Sequence, residues 1–293
     1  MTNVKTGKAK RRSGGQTRDI LRRLFSNKKA VASILFLLLL LFLVCFANFL
    51  IPYGKAIDIA PMERLQSPNL KHWFGTDIYG RDIFARVVYG TRVSLLIAFG
   101  ATAVAALVGT TLGTASAYFG GKVDQWITRI LDTWMAIPGL LLTLAVIAGI
   151  GLGVPQTIFA LAVGGIPGFA RVLRGQALSI VYQEYMLAIR ALGASRTRAI
   201  FKHVVPNVMS QVLIQATTSV SSYLLLGATL SFLGLGAQPP HPEWGSMLAE
   251  GLTDYQLHSY LVSIPGAAIA LTALAVNILG DALRDALDPR LKA

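Results

Sequence analysis

Five stretches of the chain contain no Asp, Glu, Lys or Arg: residues 30–54, 93–121, 133–170, 204–242 and 255–280. They are apolar all round, without the alternation of a half-buried strand, so each reads as helix surrounded by a non-aqueous medium. A bilayer core about 30 Å thick takes about 20 helical residues, so four stretches hold one span each and the 38-residue stretch 133–170 holds two. The expected fold is an all-α polytopic membrane protein with six transmembrane helices; strands of a membrane barrel would instead alternate in segments of about ten residues. The first helix is expected near residues 30–51, after a basic tail over 1–29, and is followed by an external segment over 52–91 rich in Pro and Gly. Five further helices form a core over 92–283, with a short tail over 284–293. Helix 2 is expected near 93–118, ending at YFGGKVD, where Gly120 and Gly121 suit a helix cap. Helix 3 starts near Trp126 and fades at GIGLGVP, a tight turn into helix 4, which leaves the membrane at Arg171; helices 5 and 6 fall near 206–232 and 258–280.

Composition narrows the class further. With 54% hydrophobic and 14% charged residues and a mean hydropathy of +0.57, the chain is neither a soluble enzyme nor a disordered protein. Cys45 is the single cysteine, so no intrachain disulfide forms. The net charge of +13 is unevenly placed: ten Lys or Arg precede Ala30 against the single acid Asp19, and six bases lie between Arg171 and Lys202 against Glu184. Residues 52–91 are nearly balanced, and residues 236–254 carry three acids and no base. This asymmetry follows the positive-inside rule and does not require nucleic acid: the N-terminus and the loop 171–206 face the cytoplasm, and six spans return the C-terminus to the same side. The 22 apolar residues 30–51 exceed a signal-peptide core, so the first run is read as a retained span. Before it, TRDILRRLFSNKKA suits either an amphipathic helix on the inner leaflet or a solvated tail.

Much familiar chemistry is missing. The Gly-Lys pairs at Gly7, Gly54 and Gly121 are followed by Ala, Ala and Val, so no phosphate-binding P-loop is formed. No HExxH, paired Cys or buried cluster of carboxylates or histidines is expected, and with them no metal or cofactor site. His72, His203, His241 and His258 are expected to be solvated or locally bonded. Gly109 with Gly113 and Gly164 with Gly168 are small-residue pairs suited to helix contact.

The cytoplasmic loop carries the densest local signals. Glu184 to Leu192 reads as a short helix including Ala188, Arg190 and Ala191; Gly193 supplies a left-handed break before Ala194; Ser195 caps a second helix with Arg196 and Arg198, reaching Phe201; and Pro206 opens the next span. A helix, a break and a helix lying along the inner surface form a knob suited to a partner. The segment EYMLAIRALGASRTRAIFKHVVPN resembles the EAA loop of ABC importer permeases, with Leu187 at the family's acidic position and Ile189 replacing the second alanine. Docking then rests on Gly193, Ala188 and the arginines.

Four more segments, HWFGTDIYGRDIFARVVYGTRVSL, YFGGKVDQWITRILDTWMAIPGLLL, SFLGLGAQPPHPEWGSML and NILGDALRDALDPRL, resemble the C-type permease of dipeptide and oligopeptide ABC importers, from Lys28 nearly to the end. The resemblance implies a type I importer architecture and a non-enzymatic permease in the bacterial inner membrane. Its implied partners are a paralogous second permease, two cytoplasmic ATPase subunits and an extracytoplasmic substrate-binding protein. Gln238, Pro239, Pro240 and Trp244 mark an external loop, with Trp244 as an amphipathic anchor, that contacts the binding protein, caps the path or serves as an interfacial structural loop. The expected cargo is a dipeptide or oligopeptide, with nickel or glutathione as alternatives within the same machinery. An ion-coupled secondary transporter would need ionisable residues inside the spans, and only Asp124, Arg129, Asp132 and Asp281, near inner helix ends, come close.

Overall fold

The computed structural model describes residue 22 and residues 24–287, so the amphipathic-tail reading before residue 22 and the end of the C-terminal tail lie outside the described residues. Helix α1, Lys28–Leu50, starts where the Asn27 side chain accepts hydrogen bonds from the amides of Lys29 and Ala30. A single turn, α2 at Gly54–Ile57, begins an irregular segment that leads to α3 at Ile83–Phe119. There follow α4 at Gly121–Met135, α5 at Gly139–Ile150 and α6 at Val154–Val181. Short helices α7, Glu184–Ala191, and α8, Arg196–Ala199, precede a π-helical turn at Ile200–Val204 and the long α9, Val205–Phe232. Helices α10, Trp244–Gly251, and α11, Tyr260–Leu287, complete the chain. The described residues contain no sheet, only one isolated bridge between Thr76 and Asp82.

Five helices are long and apolar enough to cross a bilayer, and α4 with α5 supplies the sixth if its two halves, bent by 89°, form one span. The sequence placed helix 3 as one rod from Trp126; the structure starts it at Gly121 and breaks it between Met135 and Gly139. Pro138 is the cause: it adopts ψ 128 outside the helical region, and α5 restarts after it.

Two further boundaries differ for one physical reason. Helix α3 begins ten residues before the expected 93, with Asp82 capping the Ala85 amide, and α6 runs ten residues past Arg171. Charge was read as marking the ends, yet inside α3 the Arg86 guanidinium bonds to Glu250 at 3.0 Å and Arg92 to the Val44 carbonyl at 2.6 Å. In α6, Arg174 grips Asp124 and Arg171 meets Asp132 at 2.5 Å. A charged side chain with a partner does not end a helix.

Helices α3 and α6 make the most extensive helix contact in the chain. A Cβ added at Gly109 would fall 2.4 Å from the Phe169 Cβ, and one at Gly113 would fall 2.4 Å from the Ala170 carbonyl oxygen. The two glycines thus bring two backbones together, as small residues do in membrane helices. Gly168 differs from the expectation, for a Cβ there meets nothing within 4 Å. The core assembled on this contact includes Ile97, Leu161, Phe169, Leu173 and Leu230. A second cluster ties α3, α9, α10 and α11 through Ile83, Leu224, Trp244 and Ile269.

Candidate functional site

Helix α3 spans 37 residues, about 55 Å, and separates two ends of the bundle, each with its own assembly. One end holds residues 182–206. Gln183 precedes α7, whose first turn carries Glu184; Met186 is fully buried, and Ile189 packs on the main core. Ala188, Arg190 and Ala191 lie on the exposed part of α7, and Leu192 is 87% exposed. Gly193 has φ +79, the left-handed break the sequence called for, and the Ala194 amide donates to the Ile189 carbonyl at 3.2 Å. The Ser195 hydroxyl accepts from the Arg198 amide at 3.3 Å, capping α8. The second helix does not run as one α-helix to Phe201: after Ala199 the chain passes into the π-turn, and Pro206 lies in the first turn of α9.

The result is a knob with buried roots, Met186, Ala199 and Val204, and a free tip. Leu187, at the position where the resemblance leads one to expect an acid, is 56% exposed. Two arginines also hold the knob to the end of α3: Arg190 lies 4.6 Å above the Tyr118 ring and Arg196 5.7 Å from the Phe119 ring centroid. Arg198 is exposed and forms no ion pair among the described residues. The knob is thus in packing contact with the main core and, through Arg190 and Arg196, with the end of α3.

The other end gathers residues 52–82 and 233–259. Gln238 folds back so that its amide donates to the carbonyls of Gly234 and Gly236 at 3.0 and 3.1 Å, while Pro239 and Pro240 stay exposed. Trp244 corrects the sequence reading. It is fully buried, its indole N–H donating to the Val87 carbonyl at 3.0 Å, and Gly90 leaves room for the ring at 3.0 Å. It is a core residue joining α10 to α3, not an interfacial anchor. Its neighbour Glu243, 1% exposed, accepts from the Ser94 hydroxyl at 2.8 Å and the Ser246 amide at 2.9 Å. Burial pushes the Glu243 carboxyl above the usual carboxylate range, and no cation among the described residues pairs with it.

The same end holds a set of buried ion pairs that the sequence reading did not name. Arg81 bonds to Asp77 at 2.7 Å and to Glu250 at 2.5 Å, and Arg86 bonds to the same Glu250 oxygen. Beside them His72 bonds to Asp82 at 2.8 Å and lies 3.3 Å from Glu63. Lys71, paired with Glu63, holds that carboxyl below its usual range. Carboxylates and cations alternate here as structural pairs, and among the described residues no group of His, Cys, Asp and Glu is arranged to hold a metal ion. The signal was present in GTDIYGRDIFAR, but its partner Glu250 lies far along the chain. Tyr260 adds a further tie, its hydroxyl donating to the Gln66 carbonyl at 3.0 Å.

Three comparisons bear on this arrangement. The family described as binding-protein-dependent transport system inner membrane component matches residues 109–293. The N-terminal transmembrane domain of oligopeptide transport permease C matches residues 15–68. A dipeptide transport system permease protein of Alkalihalophilus pseudofirmus is 40% identical, covering 94% of this chain and 90% of its own. A glutathione transport system permease protein of Pectobacterium atrosepticum is 42% identical, covering 94% and 92%. Among solved structures, a chain of the MetNI methionine ABC transporter in an inward-facing conformation superposes with a TM-score of 0.55 at 20% identity, covering 69% of this chain and 97% of that one. That likeness concerns the fold, and it is the type I importer fold expected from the sequence. With a knob at one end of its helices, a pinned cap at the other and these family matches along its length, the chain belongs to the inner membrane components of binding-protein-dependent transport systems, the permease subunits of ABC importers.

Proposed function

We propose that this permease carries short peptides inward, taking them from an extracytoplasmic binding protein and working with a paralogous second permease and two cytoplasmic ATPase subunits. The observation that carries the reading is the knob: buried roots, a left-handed Gly193 and an exposed tip at Leu187 and Leu192. Closure of the ATPase pair on ATP moves the knob, and α6 and α9 pass that motion to the membrane, opening the path alternately outward and inward. Hydrolysis belongs to the separate subunits, because this chain has no phosphate-cradling loop. The knob end lies in the cytoplasm, as do both termini, and the cap of residues 52–82 with 233–259 faces the binding protein across the inner membrane of a bacterium.

Dipeptide and glutathione relatives of similar identity favour a cargo with peptide backbone groups, and glutathione is itself a short peptide. The test is uptake into vesicles holding the full complex with its binding protein, using labelled dipeptide, oligopeptide and glutathione in turn. ATP-dependent accumulation of one of these bears the reading out. Accumulation driven by an ion gradient without ATP, or of nickel alone, overturns it.

A further inference from the structure

Helix α9 carries a second pattern that neither the knob nor the cap uses. Asn207, Gln211, Gln215, Thr218, Ser222 and Thr229 recur at intervals of three, four and seven residues. At about 100° per residue they fall within about 40° of one line along the helix. From Asn207 to Thr229 that line is about 33 Å long, the thickness of a bilayer core. Leu225 is the one apolar residue on it that is exposed, at 49%. None of the six polar residues is buried within the chain, whereas the opposite side of α9 packs through Val220 and Leu224.

The hydroxyls on the line are turned back on their own helix: Thr218 donates to the Gln215 carbonyl at 3.0 Å, Ser222 to Thr218 at 3.3 Å and Thr229 to Leu225 at 2.8 Å. Their oxygens remain open as acceptors. The side-chain amides of Gln211 and Gln215 form no hydrogen bond within the described residues. An unpaired amide in hydrocarbon is costly, so this face does not look onto lipid. The same chain shows what a lipid-facing surface is like: Leu38, Leu41, Phe42 and Phe46 on α1, and Leu96, Phe99 and Leu107 on α3, are all about half exposed or more. The α3–α6 contact looks different again, resting on glycine and alanine at Gly109, Gly113 and Ala170. The α9 line contains neither.

We propose that this line is the wall of a water-filled path across the membrane, and that the Gln211 and Gln215 amides bond to the backbone amide and carboxylate groups of a peptide in transit. The proposal rests on the peptide-import reading. A primary amide both donates and accepts, which matches a peptide backbone whatever its side chains. The wall is then tolerant of sequence, and discrimination among peptides lies with the binding protein.

The test starts from the assembled complex with Cys45→Ala, which removes the single native thiol of this chain, and labelling is read on this chain alone. Single cysteines replace Gln211, Gln215, Thr218, Ser222 and Thr229, with Leu213 on the far side of α9 and Leu107 on α3 as controls. The probe is a small charged methanethiosulfonate. The line positions are expected to react, more slowly when peptide-loaded binding protein and ATP are present, while both controls stay unreactive. Line positions as inert as the controls overturn the proposal. So does disulfide formation between a line cysteine and a cysteine in the second permease, which would make the face a subunit interface. The second arm is Gln211→Leu with Gln215→Leu, expected to lower dipeptide uptake roughly tenfold, the scale of one or two lost hydrogen bonds, with the Asn pair retaining part of it. Full uptake by the Leu pair also overturns the proposal. Uptake by the Cys45→Ala parent separates the two readings: a parent that moves no peptide refutes the function, whereas a working parent with an inert line refutes only the wall.

Discussion

Replacing Gly193 isolates the contribution of backbone geometry to coupling. Its φ is +79, and a Cβ built there meets nothing within 4 Å. A substitution therefore clashes with no neighbour, and its whole cost is that of holding an L-residue in the left-handed region. That is about 1–2 kcal/mol for alanine, somewhat less for asparagine and more for a β-branched side chain. The knob is fixed on both sides, by Met186 and by Ala199 and Val204, all fully buried, so the strain cannot relax into a slack loop. It is expressed as loss of the docked shape, roughly five- to thirtyfold in population for alanine. The expected order of peptide uptake, and of binding-protein-stimulated ATP hydrolysis, is Gly193, then Asn, then Ala, then Val, with all four proteins inserted in the membrane in similar amounts. Equal coupling by Gly193→Ala and Gly193→Val, or an Asn variant weaker than Ala, would refute the argument, because side-chain bulk or loop flexibility would then be the cause.

Three more outcomes follow from the same geometry. Arg196→Lys with Arg198→Lys keeps the charge but loses the planar guanidinium that stacks on Phe119 and forks to carboxylates, so less ATPase subunit should be recovered with the permease while ligand binding by the isolated binding protein is unchanged. In the Cys45→Ala background, a cysteine at Met62, 96% exposed, should react in intact cells with a reagent that cannot cross the membrane, and one at Thr197 should not; the reverse pattern inverts the orientation. Because Glu243 is raised by burial, it favours the protonated carboxyl in the fold. Its contribution is complete below the ordinary carboxylate value and is lost as pH rises through the folded value, so thermal stability falls in that window. Glu243→Gln should flatten this dependence when melting is followed across pH, and an unchanged slope would mean that another group sets it.

What the sequence made legible was local. The apolar runs located every long helix because a bilayer leaves no other way to satisfy the backbone. The break and the second cap of the knob were readable because Gly193 and Ser195 are helix-end signals within one short segment, whereas the π-turn at Ile200–Val204, which carries no such signal, was not. What failed needed knowledge of partners. Arg92 and Arg171 looked like helix ends until the Val44 carbonyl and Asp132 were found beside them. Trp244, a tryptophan in a proline-rich loop, looked interfacial because nothing in the linear sequence shows that Gly90 makes room for it. The same separation, 164 residues between Arg86 and Glu250, hid the buried ion pairs.

The contact of α3 with α6 has a mechanical consequence. Gly109 and Gly113 meet α6 between Ile166 and Arg174, which places a fulcrum near Ala170. From there α6 extends about 17 Å to Val181, where the knob is attached, and about 24 Å to Val154. A tilt applied at the knob is thus returned at the far tip multiplied by about one and a half. Pro167, which removes one backbone donor, lies within one turn of that fulcrum, so the multiplication holds while α6 stays straight there and is lost if the helix bends. By this geometry alone, a small displacement of the knob end of a rigid α6 is a larger one at the opposite tip.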